Sequence, residues 1–332
     1  MKTIWVLGTG GTIAGRADRS VDNVGYVAGE VGVSDLLAPL RASLLAQCPD
    51  VNWSVRQVAQ IDSKDMDHEV LCQLAREVLG AVTDPSVDGV VVTHGTDTIE
   101  ETAHFLSRLV PPSKPVILTC AMRPASAVAP DGPQNLLDAC LIAAQAAASG
   151  VWVVALGAVH APDRIHKHQP YRLDAFISAD GGPAGVIEEG RLRWLQGAPL
   201  SATSAVERID ASVALALLDR VERTGLPRVE LVFSHADVSG RVVDALLEQA
   251  ENDQPLRGLI VAGTGNGTVH RRLLEGLKRA EQRGVAVRLS SRCMGGRPVG
   301  SGGWPSLVPL NPYKARLDLA LQLALTDLSA SR

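Results

Sequence analysis

A chain of 332 residues, 46% of them hydrophobic, is long enough to bury a sizeable core and to form about two domains. Its 32 basic and 36 acidic residues are mixed along the sequence and leave a net charge of −4, so no basic run or aromatic-interleaved patch marks a nucleic-acid or anionic-membrane partner. No segment approaches the ~20 apolar residues of a membrane span, and the five scattered cysteines, Cys48, Cys72, Cys120, Cys140 and Cys293, form no Cys-x-x-Cys pair, so they read as reduced thiols of a cytoplasmic protein.

The opening apolar run ends at Gly8, too short for a secretory signal, and its residues 4–7 read as a first strand. Residues 34–47 read as a helix, 51–58 as an alternating strand, and 65–82 as a helix capped by Asp65 or Asp67. Strand 87–93, helix 99–110, strand 116–119, Ala-rich helix 133–149 and strand 151–156 follow. This alternation predicts a parallel sheet with helices on both faces. After residue 156 the pattern breaks into short β pieces, and 196–211 lacks periodicity. That stretch is the expected linker between an N-terminal domain, 1–195, and a C-terminal domain, 212–332. The second domain repeats the alternation, with helices at 211–223, 240–252, 268–282 and 312–328 and strands at 229–233, 259–261 and 285–289. The expected class is α/β in two domains.

Two loops stand out. Val90-Val91-Val92 runs into Thr93-His94-Gly95-Thr96-Asp97, and a helical pattern begins at once. Thr96 and Asp97 thus fall at the carboxyl end of a buried parallel strand, where open α/β sheets bind ligands. A helix start offers free N–H groups to an anion, so the pair can face a small ligand bearing both charges. The other reading is that Thr96 or Asp97 only caps the helix.

The other loop, Gly8-Thr9-Gly10-Gly11-Thr12-Ile13-Ala14-Gly15, follows the first strand. It fails the dinucleotide fingerprint, because Ile13 or Thr12 stands where glycine is needed. Gly263-Thr264-Gly265-Asn266-Gly267-Thr268 fails it too, which argues against a nicotinamide enzyme. Glycines around Thr12 let backbone approach a ligand closely. A threonine hydroxyl needs help to lose its proton, and Tyr26 is the nearby candidate. The alternative is a tight turn with Tyr26 as a surface aromatic. His160, His166 and His168 have no acidic partner at zinc-ligand spacing and read as loop residues.

Taken together, Thr9-Gly10-Gly11-Thr12-Ile13-Ala14-Gly15 and His94-Gly95-Thr96-Asp97-Thr98-Ile99-Glu100-Glu101-Thr102 resemble the two signatures of the bacterial L-asparaginase family. Ile61-Asp62-Ser63-Lys64-Asp65-Met66, Ala121-Met122-Arg123-Pro124, Asp131-Gly132-Pro133-Gln134-Asn135-Leu136, Gly263-Thr264-Gly265-Asn266-Gly267 and Ser290-Ser291-Arg292 extend the resemblance along nearly the whole chain. It implies a larger N-terminal domain with a mainly parallel sheet and a smaller parallel α/β C-terminal domain. It implies hydrolysis of asparagine to aspartate and ammonia without metal or organic cofactor, in a homodimer or homotetramer.

Carried over residue by residue, the resemblance makes Thr12 the nucleophile and Tyr26 its proton acceptor. Thr96, Asp97 and Lys167 become a second triad. Asp97 also meets the substrate α-ammonium, Ser63 the α-carboxylate, and the Ala121 carbonyl the leaving amide. Asn266 reaches an adjacent subunit's site or bridges to its Asp97. His94 enters only as a structural residue of the motif. One departure stands out: residues 290–308 contain no Asp or Glu, where many secreted members carry an acidic residue. That leaves the choice between asparagine and glutamine open. A broad glutaminase-asparaginase and a non-catalytic amino-acid-binding homologue are the alternatives, and the full set of five catalytic residues speaks against the second.

Overall fold

The computed structural model describes residues 1–195, 208–249, 254–296, 298–299, 304 and 306–330. Of the expected linker, residues 196–207 lie outside the described residues. The chain forms two compact units, Met1–Leu218 and Asp219–Arg332.

In the first unit, β1 (Lys2–Gly10) lies one strand in from the edge and pairs in parallel with the edge strand β2 (Val51–Ile61) on one side and β3 (Gly89–Thr93) on the other. β4 (Pro115–Thr119) and β5 (Gly150–Ala155) continue the parallel series beyond β3. β6 (Ala158–His160) then turns back antiparallel to β5. A detached hairpin, β7 (Ile165–Lys167) with β8 (Phe176–Ser178), precedes an antiparallel edge of β9 (Gly185–Glu188) and β10 (Arg191–Trp194). The eight-stranded order is β10-β9-β6-β5-β4-β3-β1-β2.

Side chains alternate across such a sheet, so both faces need covering. Ile4, Val6, Val91, Ile117, Trp152 and Val154 share one apolar cluster. Over it pack α1 (Val33–Leu37), α2 (Arg41–Gln47) and α5 (Gly132–Ala143). The alternate residues Val90, Val92, Val116, Leu118 and Val153 are also fully buried. α3 (His68–Thr83) and α4 (Ile99–Leu109) pack against the sheet and each other. Each such Val, Leu or Ile contributes about 1.5–3 kcal/mol relative to exposure, which is why these strands read as unbroken apolar runs.

The helices differ from expectation where tertiary structure intervenes. The predicted helix at 34–47 is interrupted by a 3-10 turn, Ala38–Leu40, because Pro39 has no N–H to donate. The Ala-rich helix stops at Ala143, with a short 3-10 turn after it, since Gly150 must begin β5 opposite Pro115. Strand pairing there overrides the helix propensity of alanine. Between Asp65 and Asp67, it is Asp67 that caps α3, its carboxylate accepting from the Val70 N–H at 2.9 Å.

In the second unit, β11 (Arg228–Phe233), β12 (Leu256–Gly263), β13 (Ala286–Ser291) and the short β14 (Ser306–Leu307) form an all-parallel sheet in that order. The helix before it, α6 (Ala211–Thr224), spans the boundary between the units. α7 (Arg241–Gln249), α8 (Arg271–Gln282) and α9 (Pro312–Ala330) complete the unit. Its core joins Val232, Leu259, Val261, Val287 and Leu289 to Val243, Leu247, Leu273 and Leu277. α8 starts at Arg271 rather than 268, because Thr264 and Thr268 pair across a tight loop and His270 caps the helix.

Candidate active site

Four parallel strands, in the order β4-β3-β1-β2, end at one edge of the large sheet. The loops leaving them carry Ala121, Thr96 with Asp97, Thr12, and Ser63. β1 and β3 run in step, Gly8 opposite Thr93, so the Thr12 and Thr96 loops leave side by side. Their backbones touch. Gly11 has φ +81, and a Cβ built on it would fall 2.2 Å from the Cα of Gly95. Two glycines are therefore needed here, each immediately before a threonine.

Thr12 sits in a 3-10 turn, Thr12–Ala14, and is buried. Its hydroxyl lies 2.6 Å from the Tyr26 hydroxyl. Tyr26 is brought back by an antiparallel bridge between Arg16 and Val27, in which each N–H donates to the other's carbonyl. The turn and the surface-aromatic reading are thus not the whole of it: the two hydroxyls are partners. Burial raises the Tyr26 pKa from its ordinary value, and the Asp62 and Asp97 carboxylates push it the same way. The Thr12 hydrogen bond and Lys64 pull against them. Tyr26 is consequently a protonated phenol at neutral pH, with a hydroxyl that can both accept and donate a hydrogen bond.

Lys167, on β7, reaches Thr96 Oγ1 at 2.8 Å and Asp97 Oδ1 at 2.6 Å. The capping reading of this loop does not hold: the residue at the N-cap of α4 is Thr98, and its hydroxyl donates instead to the Ser63 carbonyl at 2.8 Å. An ammonium only donates, so Thr96 Oγ1 accepts from it and the threonine hydrogen is turned elsewhere. The lysine is also held through its backbone, whose N–H points at the buried Glu100 carboxylate 3.4 Å away. Asp97 is half exposed at its side chain while Lys167 is largely covered, so the carboxylate keeps one side open to a ligand.

Ser63 is 2% exposed, and its Oγ accepts from the Asp97 N–H at 3.2 Å. Its own hydroxyl hydrogen remains to be donated, which suits a carboxylate acceptor. Ala121, fully buried at the end of β4, is held from both sides. Asn135 donates to the Cys120 carbonyl at 2.9 Å, and Asp131 accepts from the N–H groups of Met122 and Arg123 at 2.9 Å each. Asn266 belongs to the second unit, where its carboxamide pairs with the backbone of Val299.

The structure therefore brings Thr12 to Tyr26, and Lys167 to Thr96 and Asp97, with Ser63 tied to Asp97. Asp131, Asn135 and Glu100 were not singled out from sequence as supports. Asp131 and Asn135 lie in a recognisable motif, but their work is to hold backbone, which no side-chain pattern announces. His94 is buried and neutral, its pKa lowered to about 4 by burial. Burial likewise lowers His160 to about 4, and its Nδ1 lies 2.8 Å from Ser178 Oγ. Among the described residues no group of three His, Cys, Asp or Glu side chains is placed to hold a metal ion.

The chain matches two family models, Asparaginase, N-terminal, over residues 3–200, and the Glutaminase/Asparaginase C-terminal domain over residues 228–331. It is 34% identical to L-asparaginase 2 of Escherichia coli strain K12, covering 98% of this chain and 90% of that protein. It is 32% identical to a glutaminase-asparaginase of Pseudomonas fluorescens biotype A, covering 98% of this chain and 88% of that protein. A crystal structure described as a probable cytoplasmic L-asparaginase from Campylobacter jejuni superposes with a TM-score of 0.82 at 31% identity, covering 99% of this chain and 98% of that one.

Proposed function

The chain belongs to the asparaginase family, and on that footing we propose that it hydrolyses the side-chain amide of L-asparagine to L-aspartate and ammonia with Thr12 as nucleophile. The observation that carries this reading is the pairing of Thr12 with Tyr26 beside a Lys167-Thr96-Asp97 cluster, on two strand ends whose backbones touch.

Thr12 Oγ1 attacks the amide carbon. Its proton enters the Tyr26 hydroxyl as the phenol passes its own proton on to the leaving nitrogen, so the phenol is unchanged and ammonia departs. Carbon–nitrogen cleavage leaves an ester on Thr12. A water, oriented by the Thr96 hydroxyl under the Lys167 ammonium, then cleaves that ester and returns the proton to Thr12. Asp97 receives the substrate α-ammonium and Ser63 donates to its α-carboxylate. A ligand lacking the carboxylate leaves the buried Ser63 hydroxyl without its acceptor, at about 1–3 kcal/mol, and one lacking the ammonium forgoes the pairing with Asp97. Ala121 offers its carbonyl to the amide nitrogen, and Asn266 contributes from the C-terminal unit in an assembly of two or four copies. The chain takes no metal or organic cofactor in this scheme, and its free cysteines suit a reducing cytoplasm.

Ammonia release from L-asparagine and, in parallel, from L-glutamine tests the reading, with the wild type beside Thr12→Ala. Asparagine turnover that collapses in the variant supports it. Full activity in the variant moves the nucleophile to Thr96, and binding without ammonia release from the wild type makes the chain an amino-acid-binding homologue. A glutamine rate comparable to that with asparagine makes it a glutaminase-asparaginase, as the Pseudomonas fluorescens relative is named.

A further inference from the structure

His94 takes no part in the chemistry above, yet its ring is fully buried and it stands two residues before Thr96. Nδ1 lies 2.8 Å from the carbonyl oxygen of Gly95, and Nε2 lies 2.9 Å from Thr102 Oγ1. A carbonyl can only accept, so Nδ1 carries the proton. In the neutral ring Nε2 is then bare, and the Thr102 hydroxyl donates to it. Burial keeps the ring neutral.

The Gly95 carbonyl belongs to the peptide that leads into Thr96. That peptide unit is planar and trans, so drawing its carbonyl toward the ring turns the Thr96 N–H to the opposite side. It also fixes the plane from which Thr96 and Asp97 depart. Gly95 itself offers little restraint, since glycine moves freely between conformations. The ring's own position is set twice: the His94 N–H donates to the Thr119 carbonyl at 2.9 Å, and Thr102 stands on α4. We infer that His94, locked by Thr102 with its proton on Nδ1, is a positioning residue that orients the Gly95–Thr96 peptide for amide hydrolysis. The inference rests on the hydrolytic reading above for its kinetic consequences, but not for the lock itself.

Nitrogen NMR of the wild-type chain labelled in histidine tests the lock directly. One imidazole, identified by its loss in His94→Asn, is expected to carry its proton on Nδ1 at neutral pH. A proton on Nε2, or a doubly protonated ring, overturns the inference whether or not asparagine is hydrolysed. Kinetics test the consequence. His94→Asn places an amide N–H near the position of Nδ1, and His94→Gln places one near Nε2. Asparagine kcat is expected to stay within about tenfold in the first and to fall about 100-fold in the second, with KM within about threefold in both. Equal losses in the two variants, or a loss confined to KM, overturn it. Should both fail to fold, Thr102→Val is expected to lower kcat about tenfold by freeing the ring, and Thr102→Ser to keep it. Equal rates in that pair overturn the inference as well. A wild type that releases no ammonia defeats the hydrolytic reading alone.

Discussion

The hydroxyls of Thr12 and Tyr26 stand 2.6 Å apart across 14 residues of chain. The contact is made by the strap between them, which doubles back where Arg16 pairs with Val27. Tyr26→Phe keeps the ring and removes the relay. We expect kcat for asparagine to fall by about 10²–10⁴, the range of a lost acid–base group, with a smaller change in KM. Steady-state ammonia release measures both. A variant with wild-type kcat would mean that the Thr12 proton leaves by another route.

Lys167 bridges Thr96 and Asp97 with one ammonium. Lys167→Gln is expected to lower kcat by about 100-fold, because Thr96 loses the donor that sets its hydroxyl. Lys167→Arg should not restore it, since a planar fork cannot place one nitrogen between these two oxygens. Asp97→Asn is expected to act mainly on KM through the substrate ammonium, with little change in melting temperature, because the Asp97 side chain is half exposed. Kinetics and thermal melts on the same samples separate these effects. A Lys167→Arg variant at full rate would reduce the lysine to a bulk positive charge.

Gly11 and Gly95 set the spacing of the two threonine loops. Gly11→Ala must place a methyl 2.2 Å from the Cα of Gly95 at a φ of +81. Overpacking of this kind costs about 1–3 kcal/mol before the backbone strain is added. We expect lower stability in urea together with lost activity. Gly80→Ala provides the contrast. Gly80 lies inside α3 with nothing within 4 Å of an added Cβ, so alanine should stabilise by about 0.5–1 kcal/mol. Equal melting temperatures for the two variants would refute the close approach of the loops.

Two buried histidines make stability depend on acid. His94 and His160 are 0% and 3% exposed, and burial lowers both to about 4 from 6.5. Below 6.5 the unfolded chain takes up protons that the folded chain refuses. Their contribution is therefore fully present above that pH and is lost as the pH falls toward 4. At about 1.4 kcal/mol per pH unit, each imidazole accounts for up to roughly 3 kcal/mol. Urea midpoints between pH 7 and about 4.5 should fall, and His160→Gln should flatten the slope. An unchanged slope in that variant would show His160 taking up its proton as readily in the fold as in the unfolded chain.

Some of this molecule was legible before any coordinates. The unbroken apolar run at Val90–Val92 announced a doubly covered parallel strand, since burial on both faces leaves no alternation. The strand–helix alternation then placed Thr12 and Thr96 at strand ends, and two long motifs singled out the residues proposed to react. Helix limits were less legible, because Pro39 and the Gly150 pairing act through backbone donors and neighbouring strands rather than through periodicity. The site's geometry needed the tertiary structure. Lys167 meets Thr96 across 71 residues, and nothing local in Ile165-His166-Lys167 points it there. Asp131 and Asn135 hold the Ala121 loop by bonding backbone, a task many side chains could perform elsewhere. The protonation of Tyr26 was likewise undecided in sequence, because it depends on which carboxylates the fold gathers around a half-buried phenol. Sequence by itself determined the fold class and picked out the candidate reacting groups, through short-range pattern. Only the tertiary structure decided which of them touch and which proton each one holds, because distance and burial arise from contacts between segments far apart in the chain.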